Sequence, residues 1–535
     1  MIIKNGIVYD PLNEIHGERM DIFVERGKIV EKAKGEVIDA SSLIVMPGGV
    51  DIHSHIVGSK VNYGRQLRPE DHREHVMRKT RITRSGTGYT IPTTFFQGYK
   101  YAQMGYTSVF EAACPPLGAK HAHEELQDTP IIDKGMWILM GSNYFVLRYV
   151  ENNEFSKLKE FVSWLLKATK GYVIKIVNPG GVENWKWGKN VTSLDETIEN
   201  FRVTPREILS NLERVCEELK LPHPIHVHCN NLGHPGNFET TIETMENARK
   251  RIHITHIQFN SYAGEDWMSF ESGASDVTKF INKSKRVTCD VGQVIFGEAT
   301  TMTADGPWQH TLHKLTKNKW INADVELETG AGIVPYKFKR KNMVNAIQWA
   351  IGLEIFLLVK DPFKVFLTTD HPNAGPFYHY PKVIALLMSK REREKELSKV
   401  HQAAKEKTTL ESMDREYTLS EIVIITRSGT AKSLGLKNKG HLGVGADADI
   451  SIYDFSEDDI ENSFSKAKYV LKDGNIVVKD GEIVKDYLGK TYWVDTEGSA
   501  TDEVRKLFEK YYTVNFENYP VFDEYLKRQE VIQCK

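Results

Sequence analysis

Between residues 50 and 430, apolar strand-like segments alternate with amphipathic helical segments, and this alternation allows few folds. One unit shows the pattern clearly. Thr204 is a good N-cap, Pro205 occupies the first helical position, and Glu207 can complete a capping box. Apolar residues follow at helical spacing over 208–219, and an apolar strand then begins after two prolines. Repeated units of this kind predict either a (β/α)8 barrel or a doubly wound sheet.

Both ends of the chain instead show short strand-like runs separated by turn signals. Asn5-Gly6 interrupts the first run, and Asp473-Gly474 and Asp480-Gly481 separate the last ones. Because a two-stranded hairpin is marginally stable alone, we expect the two ends to form one small β domain together. The predicted organisation is a small β domain from residues 1–48 and 431–490, a barrel at 49–430, and a C-terminal extension at 491–535.

The charge balance and the cysteine pattern exclude several classes of function. Seventy Lys and Arg against 72 Asp and Glu give a formal net charge of -2, which argues against a general nucleic-acid binder. The five cysteines form no Cys-x-x-Cys pair, so any redox cofactor is expected to belong to another protein. No apolar stretch reaches the length of a membrane helix, and the start lacks a signal-peptide pattern. We therefore expect a cytoplasmic protein without a membrane partner.

His53 and His55 stand in an apolar segment that begins at Pro47-Gly48-Gly49. Alternate residues of a strand project to the same side, so both imidazoles point to one place, as a first-row metal requires. Two histidines on a strand are often only surface or core residues. The pair therefore needs further ligands before a metal site can be predicted.

Three later strand-like segments end in a residue that can bind a metal, namely His228, His256 and Asp370. In an α/β barrel the functional side chains lie at the carboxyl ends of the strands, so these residues are expected to meet the histidine pair. Taken alone, His256 could be a core histidine and Asp370 an Asx turn before Pro372. Their joint occurrence in this order favours a shared metal site.

Lys175 interrupts an apolar segment, between Ile174 and Ile176. A bare ammonium group is costly to bury there. One interpretation is that the side chain extends to the end of the strand, where its charge reaches water. The other is that burial lowers its pKa, so that the free amine reacts with carbon dioxide and the resulting carbamate bridges two metal ions.

Together, these motifs resemble the amidohydrolase superfamily, in its subset with two zinc ions and a carboxylated lysine. The resemblance covers about residues 1–490 and implies a TIM-like (β/α)8 barrel. It implies six ligands: His53 and His55 for one Zn²⁺, N6-carboxylysine at Lys175 as the bridge, His228 and His256 for the second Zn²⁺, and Asp370. Asp370 would also shuttle a proton during the reaction. His226, His253 and His371 are expected to pack around the ligands.

Within the superfamily, residues 47–55, 228–237 and 369–376 resemble the A subunits of formylmethanofuran dehydrogenases. This resemblance implies condensation of formate with the amine of methanofuran, or the reverse hydrolysis, during the carbon dioxide reduction of methanogenesis. It also implies partner subunits: a molybdenum or tungsten pterin subunit that supplies formate, and iron–sulfur subunits.

A segment rich in Lys and Arg, residues 60–84, follows the histidine pair. The methanofuran tail that the resemblance implies is a polycarboxylate, which guanidinium groups can bind with two parallel hydrogen bonds. Arg68 and Arg73 are therefore candidate substrate-binding residues, together with Asn230 in the polar turn after His228. A solvated or subunit-facing charged surface is an equal alternative for this segment.

Three other functions share parts of this pattern. The corresponding chain of a formyltransferase/hydrolase complex would have the same site chemistry and would hydrolyse formylmethanofuran. A stand-alone hydantoinase or N-acyl amino acid deacylase would act on cyclic or acylated amino acids without partner subunits. A non-catalytic scaffold on the same fold would lack ligands, whereas all six ligand positions are filled in this chain.

Overall fold

The computed structural model describes residues 1–322, 332–512 and 514–534. Eight parallel strands form a nearly closed barrel in which each strand pairs with the next along the chain. They are β1 (Gly49–Ser54), β2 (Tyr106–Cys114), β3 (Asp133–Leu139), β4 (Val173–Val177), β5 (Ile225–His228), β6 (Ile252–Ile254), β7 (Val287–Asp290) and β8 (Val365–Phe366). The His55 amide donates to the His371 carbonyl at 2.7 Å, which joins the exits of β1 and β8. The predicted TIM-like barrel is confirmed.

The barrel strands are buried on both faces. Every residue of β1 to β6 is buried, so the polar residues of these strands are enclosed as fully as the apolar ones. The few charged residues inside them, among them Glu111 and Lys175, are therefore fully enclosed. Such residues need partners or a function, because an isolated buried charge is costly.

Helices surround the barrel and fill its connections. The predicted capping box is present, with Thr204 and Glu207 bonding reciprocally at the start of the helix that precedes β5. The α-helices of the described residues are Ser59–Leu67, Thr94–Gln103, Ala119–Asp128, Tyr144–Glu151, Phe155–Thr169, Gly181–Trp185, Pro205–Glu218, Phe238–Asn247, Ala274–Lys283, Gly306–Thr316, Met343–Leu358, Tyr380–Met388, Lys390–Leu397, Ala403–Glu406, Leu419–Val423, Gly429–Ser433, Ile460–Ser465 and Asp502–Tyr511. None of them is both long and apolar enough to cross a membrane.

A second sheet combines strands from both ends of the chain. Its members are Ile2–Asp10, Ile15–Glu25, Lys28–Val30, Val37–Asp39, Ile44–Pro47, Ile450–Tyr453, Tyr469–Lys472, Asn475–Lys479 and Glu482–Ile483. The two ends meet where Ile450–Tyr453 pairs antiparallel with Ile44–Pro47. This composite sheet agrees with the predicted fold class, and the domain boundaries at 48, 430 and 490 stay a prediction.

One of the turn signals has another role. Asp473-Gly474 and Asp480-Gly481 form the expected tight turns between strands. Asn5-Gly6 does not form a turn, because Ile2–Asp10 is one strand with a register shift at this point. A Cβ on Gly6 would lie 2.5 Å from Val45 Cγ2, so glycine is needed for close packing against the neighbouring strand.

Shorter strands lie around the barrel mouth and beside the barrel. Gly297–Thr303, Ile321–Asn322 and Gly332–Phe338 form a three-stranded sheet, and Tyr262–Ala263 pairs with Glu271–Ser272. The C-terminal extension contributes Thr491–Asp495, which pairs with β3, and Gln529–Gln533, which pairs with Thr491–Asp495.

The aromatic residues of the C-terminal extension pack on this chain itself. The ring centroids of Phe508 and Phe145 are 5.0 Å apart, and Phe516 stacks on Trp164 at 4.9 Å. Phe145 and Trp164 belong to two of the outer barrel helices. The extension is therefore part of the folded core.

A buried ionic cluster joins the small sheet to the barrel. Lys472 Nζ lies 3.0 Å from carboxylate oxygens of both Asp133 and Asp449, and Lys439 Nζ lies 2.6 Å from the same two residues. Burial would raise the pKa of Asp133, but the two lysines outweigh this effect and lower it. Buried charged side chains from the small sheet and from the barrel therefore hold these two parts of the chain together.

We expect Lys472→Met to lower the free energy of unfolding by roughly 3–5 kcal/mol, because it removes one of the two buried counter-charges of Asp133 and Asp449 and leaves only Lys439. Lys468→Met is the matched control. Lys468 precedes the same strand and pairs with Asp480 at 2.6 Å, but both side chains are about half exposed. An exposed pair contributes about 0–1 kcal/mol. Urea denaturation measures both variants, and equal losses would contradict the prediction.

Candidate metal centre

The structure brings all six predicted ligands to one cavity of about 450 Å³, including its open mouth. They are His53, His55, Lys175, His228, His256 and Asp370. His53 lies on β1, Lys175 on β4 and His228 at the end of β5. His55 follows β1 directly, and His256 and Asp370 lie in the loops that leave β6 and β8, on the side of the barrel that the architecture predicts.

His53, His55 and Asp370 form the tightest group in this cavity. Asp370 Oδ1 lies 2.9 Å from His53 Nε2 and 3.3 Å from His55 Nε2. Among the described residues, neither His53 Nε2 nor Asp370 Oδ1 has a partner with hydrogen-bond geometry. Two imidazole nitrogens and a carboxylate oxygen thus converge on one point, and this donor set fits Zn²⁺.

His228 and His256 face each other on another side of the cavity. Their ring centroids are 4.8 Å apart and the rings are nearly perpendicular. The ring of His256 is also 5.4 Å from that of His53, so the two groups of ligands are neighbours. Within the described part of the chain His256 Nδ1 has no hydrogen-bond partner. These side chains fit a second ion beside the first.

Lys175 is fully buried among these groups. Its Nζ makes no hydrogen bond with any described residue. Burial lowers the pKa of Lys175 to about 7, although Asp290 and Asp370 oppose the shift. A large fraction of the side chain is therefore the neutral amine at neutral pH, which is the form that can add carbon dioxide. An unpaired buried lysine next to metal-type ligands fits a carbamate better than a free ammonium.

Two carboxylates that the sequence motifs did not reveal accept hydrogen bonds from ring nitrogens of candidate ligands. His55 Nδ1 donates to Glu111 Oε1 at 3.2 Å, and His228 Nε2 donates to Asp305 Oδ2 at 3.0 Å. Burial would raise the pKa of Glu111, but His55, Lys60 and the Val57 amide together outweigh this effect and lower it. Glu111 could have been noticed as an acid inside the apolar run of β2. Asp305, in a loop before a helix, gives no such signal.

Asp290, at the end of β7, is a third missed carboxylate. It accepts hydrogen bonds from His253 Nε2 at 3.1 Å, from the His256 amide at 3.0 Å and from Thr368 Oγ1 at 2.7 Å. Burial would raise the pKa of Asp290, but nearby His53 and His253 lower it below its ordinary value. Like Asp370, it is an acid that ends a strand, and the same argument could have found it.

The expected packing residues lie close to the ligands. His226 Nε2 is 2.9 Å from His53 Nδ1, and His253 stacks on His226 with 4.5 Å between the ring centroids. His371 contributes its backbone carbonyl to the bond that closes the barrel beside His55.

The three candidate substrate-binding residues lie away from the cavity lining. Arg68 is buried and donates to the Ala299 carbonyl at 2.6 Å and to Glu298. Asn230 donates to Asn178 Oδ1 at 2.8 Å, and Arg73 is exposed. None of the three is among the described residues that line the cavity. Their contact with a substrate stays a prediction, and the structure gives Arg68 a structural role.

An apolar slot of about 780 Å³ adjoins the cavity. Phe259, Thr301 and Trp308 line both spaces, so they stand where the two adjoin. The slot continues along Trp267 and Leu312, with Tyr336 and Phe338 also on its walls. It could hold an aromatic group of a molecule whose reactive end lies at the ligands.

Residues 36–478 match the amidohydrolase family. The chain is a member of this family. It is 53% identical to Protein FwdA of Methanocaldococcus jannaschii, over 99% of this chain and 98% of that protein. It is 38% identical to the A subunit of the formyltransferase/hydrolase complex Fhc of Methylorubrum extorquens, over 92% of this chain and 93% of that protein.

The amidohydrolase chain also has a similar solved structure. The crystal structure of the formyltransferase/hydrolase complex FhcABCD from Methylorubrum extorquens, in complex with methylofuran, contains a chain with a TM-score of 0.94 and 35% identity. The match covers 100% of this chain and 99% of that one. The resemblance inferred from the sequence motifs is confirmed.

Proposed function

We propose that this chain is the amidohydrolase-type subunit, the A subunit, of a formylmethanofuran dehydrogenase. In this function it condenses formate with the amine of methanofuran and also catalyses the reverse hydrolysis. The observation that carries the proposal is the convergence of six metal-type ligands in one barrel cavity. Two findings support it: the 53% identity to Protein FwdA, and the likeness to a complex crystallised with methylofuran.

The proposed centre has a defined set of residues. His53, His55 and Asp370 would hold one ion, His228 and His256 the other, and a carbamate on Lys175 would lie between them. Zn²⁺ ions in this place would supply Lewis-acid polarisation of the formyl carbonyl. Glu111 and Asp305 would keep two of the imidazoles in fixed orientations through their outer nitrogens.

Asp370 is the proposed proton carrier. Its carboxylate lines the cavity between His53 and His55, where the formyl carbon would lie. In hydrolysis it would accept a proton from the attacking water and donate it to the leaving amine. In condensation it would take a proton from the attacking amine and donate it to the departing oxygen, so that the same group serves both directions.

The apolar slot is the proposed binding site for the aromatic body of the amine substrate. Phe259 and Trp308 stand where the slot meets the cavity, and they would hold an aromatic ring while the amine reaches the reactive centre. The slot thus accounts for selection of a large aromatic amine over ammonia.

Trp308→Ala tests this assignment. We expect the KM for methanofuran to rise about 10- to 100-fold with little change in kcat, from the loss of about 1.5–3 kcal/mol of apolar contact. Trp187→Ala is the matched control, because Trp187 is 58% exposed and does not line the slot as described. Steady-state kinetics with varied methanofuran measures both. Unchanged KM in Trp308→Ala would remove the slot from substrate binding.

Partner subunits follow from the thermodynamics of the reaction. Condensation of formate with an amine in water is uphill, so formate has to arrive at high local concentration. We propose that a molybdenum or tungsten pterin subunit, supplied with electrons by iron–sulfur subunits, produces formate from carbon dioxide for this site. The similar chain was crystallised as part of the FhcABCD complex, which supports partner subunits for this chain as well.

Purification of the native protein tests the proposed function. We expect a stable complex with a pterin-containing subunit, and activity on formylmethanofuran in preference to hydantoins and N-acyl amino acids. Mass spectrometry of the co-purifying chains and elemental analysis for molybdenum and tungsten give the answer. A complex without a pterin metal would favour the formyltransferase/hydrolase alternative. A free chain that is active on acylated amino acids would contradict the proposal.

A further inference from the structure

A chain of buried imidazoles connects His53 to the backbone carbonyl of Ser433, the last residue of helix Gly429–Ser433. His53 Nδ1 lies 2.9 Å from His226 Nε2, and His226 Nδ1 lies 3.2 Å from His223 Nε2. His223 Nδ1 lies 2.8 Å from the carbonyl oxygen of Ser433. All three imidazoles are within 1% of full burial. We call His53, His226, His223 and the Ser433 carbonyl the histidine chain.

The carbonyl oxygen fixes the hydrogen position at one end of the histidine chain. A carbonyl oxygen can only accept, so His223 Nδ1 has to carry a hydrogen. Burial, with some help from neighbouring His253, holds the pKa of His223 well below its ordinary value, so this imidazole is neutral. A neutral imidazole carries one hydrogen, and His223 Nε2 is therefore an acceptor. The hydrogen between His223 and His226 then belongs to His226 Nδ1.

The same argument extends to His53. The ring hydrogen of His226 is on Nδ1, so its Nε2 is left to accept, and His53 Nδ1 at 2.9 Å is the donor. The Asp290 carboxylate takes no part, because it is 3.8 Å from His226 Nε2 and bonds to His253 instead, at 3.1 Å. This leaves the lone pair of His53 on Nε2, which faces the cavity.

Two other contacts agree with this direction. Thr255 Oγ1 also lies beside His53 Nδ1, and a hydroxyl oxygen can accept the same hydrogen. The opposite tautomer would place a hydrogen on His53 Nε2, to be donated to Asp370 Oδ1. Across the described residues, however, that nitrogen and that oxygen lack hydrogen-bond geometry although they are 2.9 Å apart. They converge on a common point instead of bonding to each other.

We infer that the Ser433 carbonyl, acting through His223 and His226, sets the tautomer of His53 so that the Nε2 lone pair is presented to a metal ion. The inference rests on the proposed role of His53 as a ligand. His223 and His226 are positioning residues, since neither lines the cavity as described. The histidine chain does for His53 what Glu111 and Asp305 do for His55 and His228, but with a neutral acceptor.

Neutron diffraction on the perdeuterated, metal-containing native protein tests the hydrogen positions directly. We expect deuterium on His223 Nδ1, His226 Nδ1 and His53 Nδ1, and none on the Nε2 atoms of His223 and His226. Deuterium on His226 Nε2 would overturn the inference. Elemental analysis of the same material separates the two proposals. Protein without zinc or another divalent metal would contradict the metal centre itself, whereas a metal-containing protein with the reverse hydrogen order contradicts only the histidine chain.

His223→Phe tests the consequence for metal binding. We expect about 10- to 100-fold weaker affinity for one ion, measured by competition with a coloured chelator. His123→Phe is the matched control, because His123 is also fully buried and bonds a backbone carbonyl, that of Thr169 at 3.0 Å, in an outer helix. Unchanged affinity in His223→Phe, or an equal loss in both variants, would overturn the inference.

Discussion

Asp370→Asn is expected to lower the rate of formyl transfer by about 10²- to 10⁴-fold, the range that a positioned general acid–base group contributes. The amide keeps an oxygen near His53 Nε2 and His55 Nε2, where Asp370 Oδ1 now lies at 2.9 and 3.3 Å. It cannot carry a proton between water and amine. We therefore expect the fold and most of the bound metal to remain while turnover is lost.

The control for this substitution is Asp361→Asn. Asp361 precedes β8, on the same segment as Asp370, and caps a short helix through a bond to the Phe363 amide. We expect its kcat to equal that of the unmodified protein. Three measurements are needed: kcat in both directions, metal content and circular dichroism. Full activity of Asp370→Asn would remove Asp370 from proton transfer. If metal content and activity fell together in Asp370→Asn, Asp370 would be assigned a role as a metal ligand only.

Lys175→Met is expected to remove the bridge between the two ions. Met fills a similar volume but cannot form a carbamate, so the metal content should fall below two ions per chain. The remaining affinity for metal ions should fall by more than the roughly 10- to 100-fold that follows substitution of a residue hydrogen-bonded to a ligand. Formyl transfer should be lost with the metal. The metal-free protein should be as stable as the unmodified one or more stable, because a buried group without a hydrogen-bond partner among the described residues has been replaced by an apolar one.

Lys134→Met separates this effect from the general effect of removing a buried lysine. Lys134 lies on the neighbouring strand β3, it is fully buried, and burial lowers its pKa to about 7 despite the opposing charge of Asp133. Its Nζ donates to the Thr129 carbonyl at 3.0 Å, away from the cavity. We expect its metal content to be unchanged. If Lys175→Met also kept two ions and full activity, Lys175 would be an ordinary buried lysine.

The local sequence was enough to predict which strand ends carry the ligands. His53 and His55 alternate on one strand, and His228, His256 and Asp370 each follow an apolar run that could be recognised without knowledge of the fold. Burial of Lys175 was one of the two interpretations that its apolar neighbours allowed, and the structure shows the side chain buried. These features depend on residues close together in the chain, and a barrel then collects all strand ends on one side.

The surroundings of the ligands could not be predicted in the same way. Glu111 reaches His55 because β1 and β2 pair in a particular register. Asp305 reaches His228 from a connection 77 residues later in the chain. Arg68 follows a helix that packs against Gly297–Thr303, and its guanidinium donates to Glu298, a contact that the sequence did not indicate. Long-range contacts of this kind depend on packing between segments, which local periodicity does not record.

From the sequence, periodicity indicated a parallel α/β core and a composite sheet, and the strand ends indicated candidate ligands, because these are local properties of the chain. The barrel, in preference to a doubly wound sheet, and the full set of six candidate ligands came from the resemblance to amidohydrolases. The orientation of the candidate ligands depends on tertiary contacts. The direction of the histidine chain, the two carboxylates behind His55 and His228, and the place of the C-terminal extension each depend on atoms brought together from distant segments. Hydrogen bonds have short reach and strict geometry, so they exist only after strand register and barrel closure have been set.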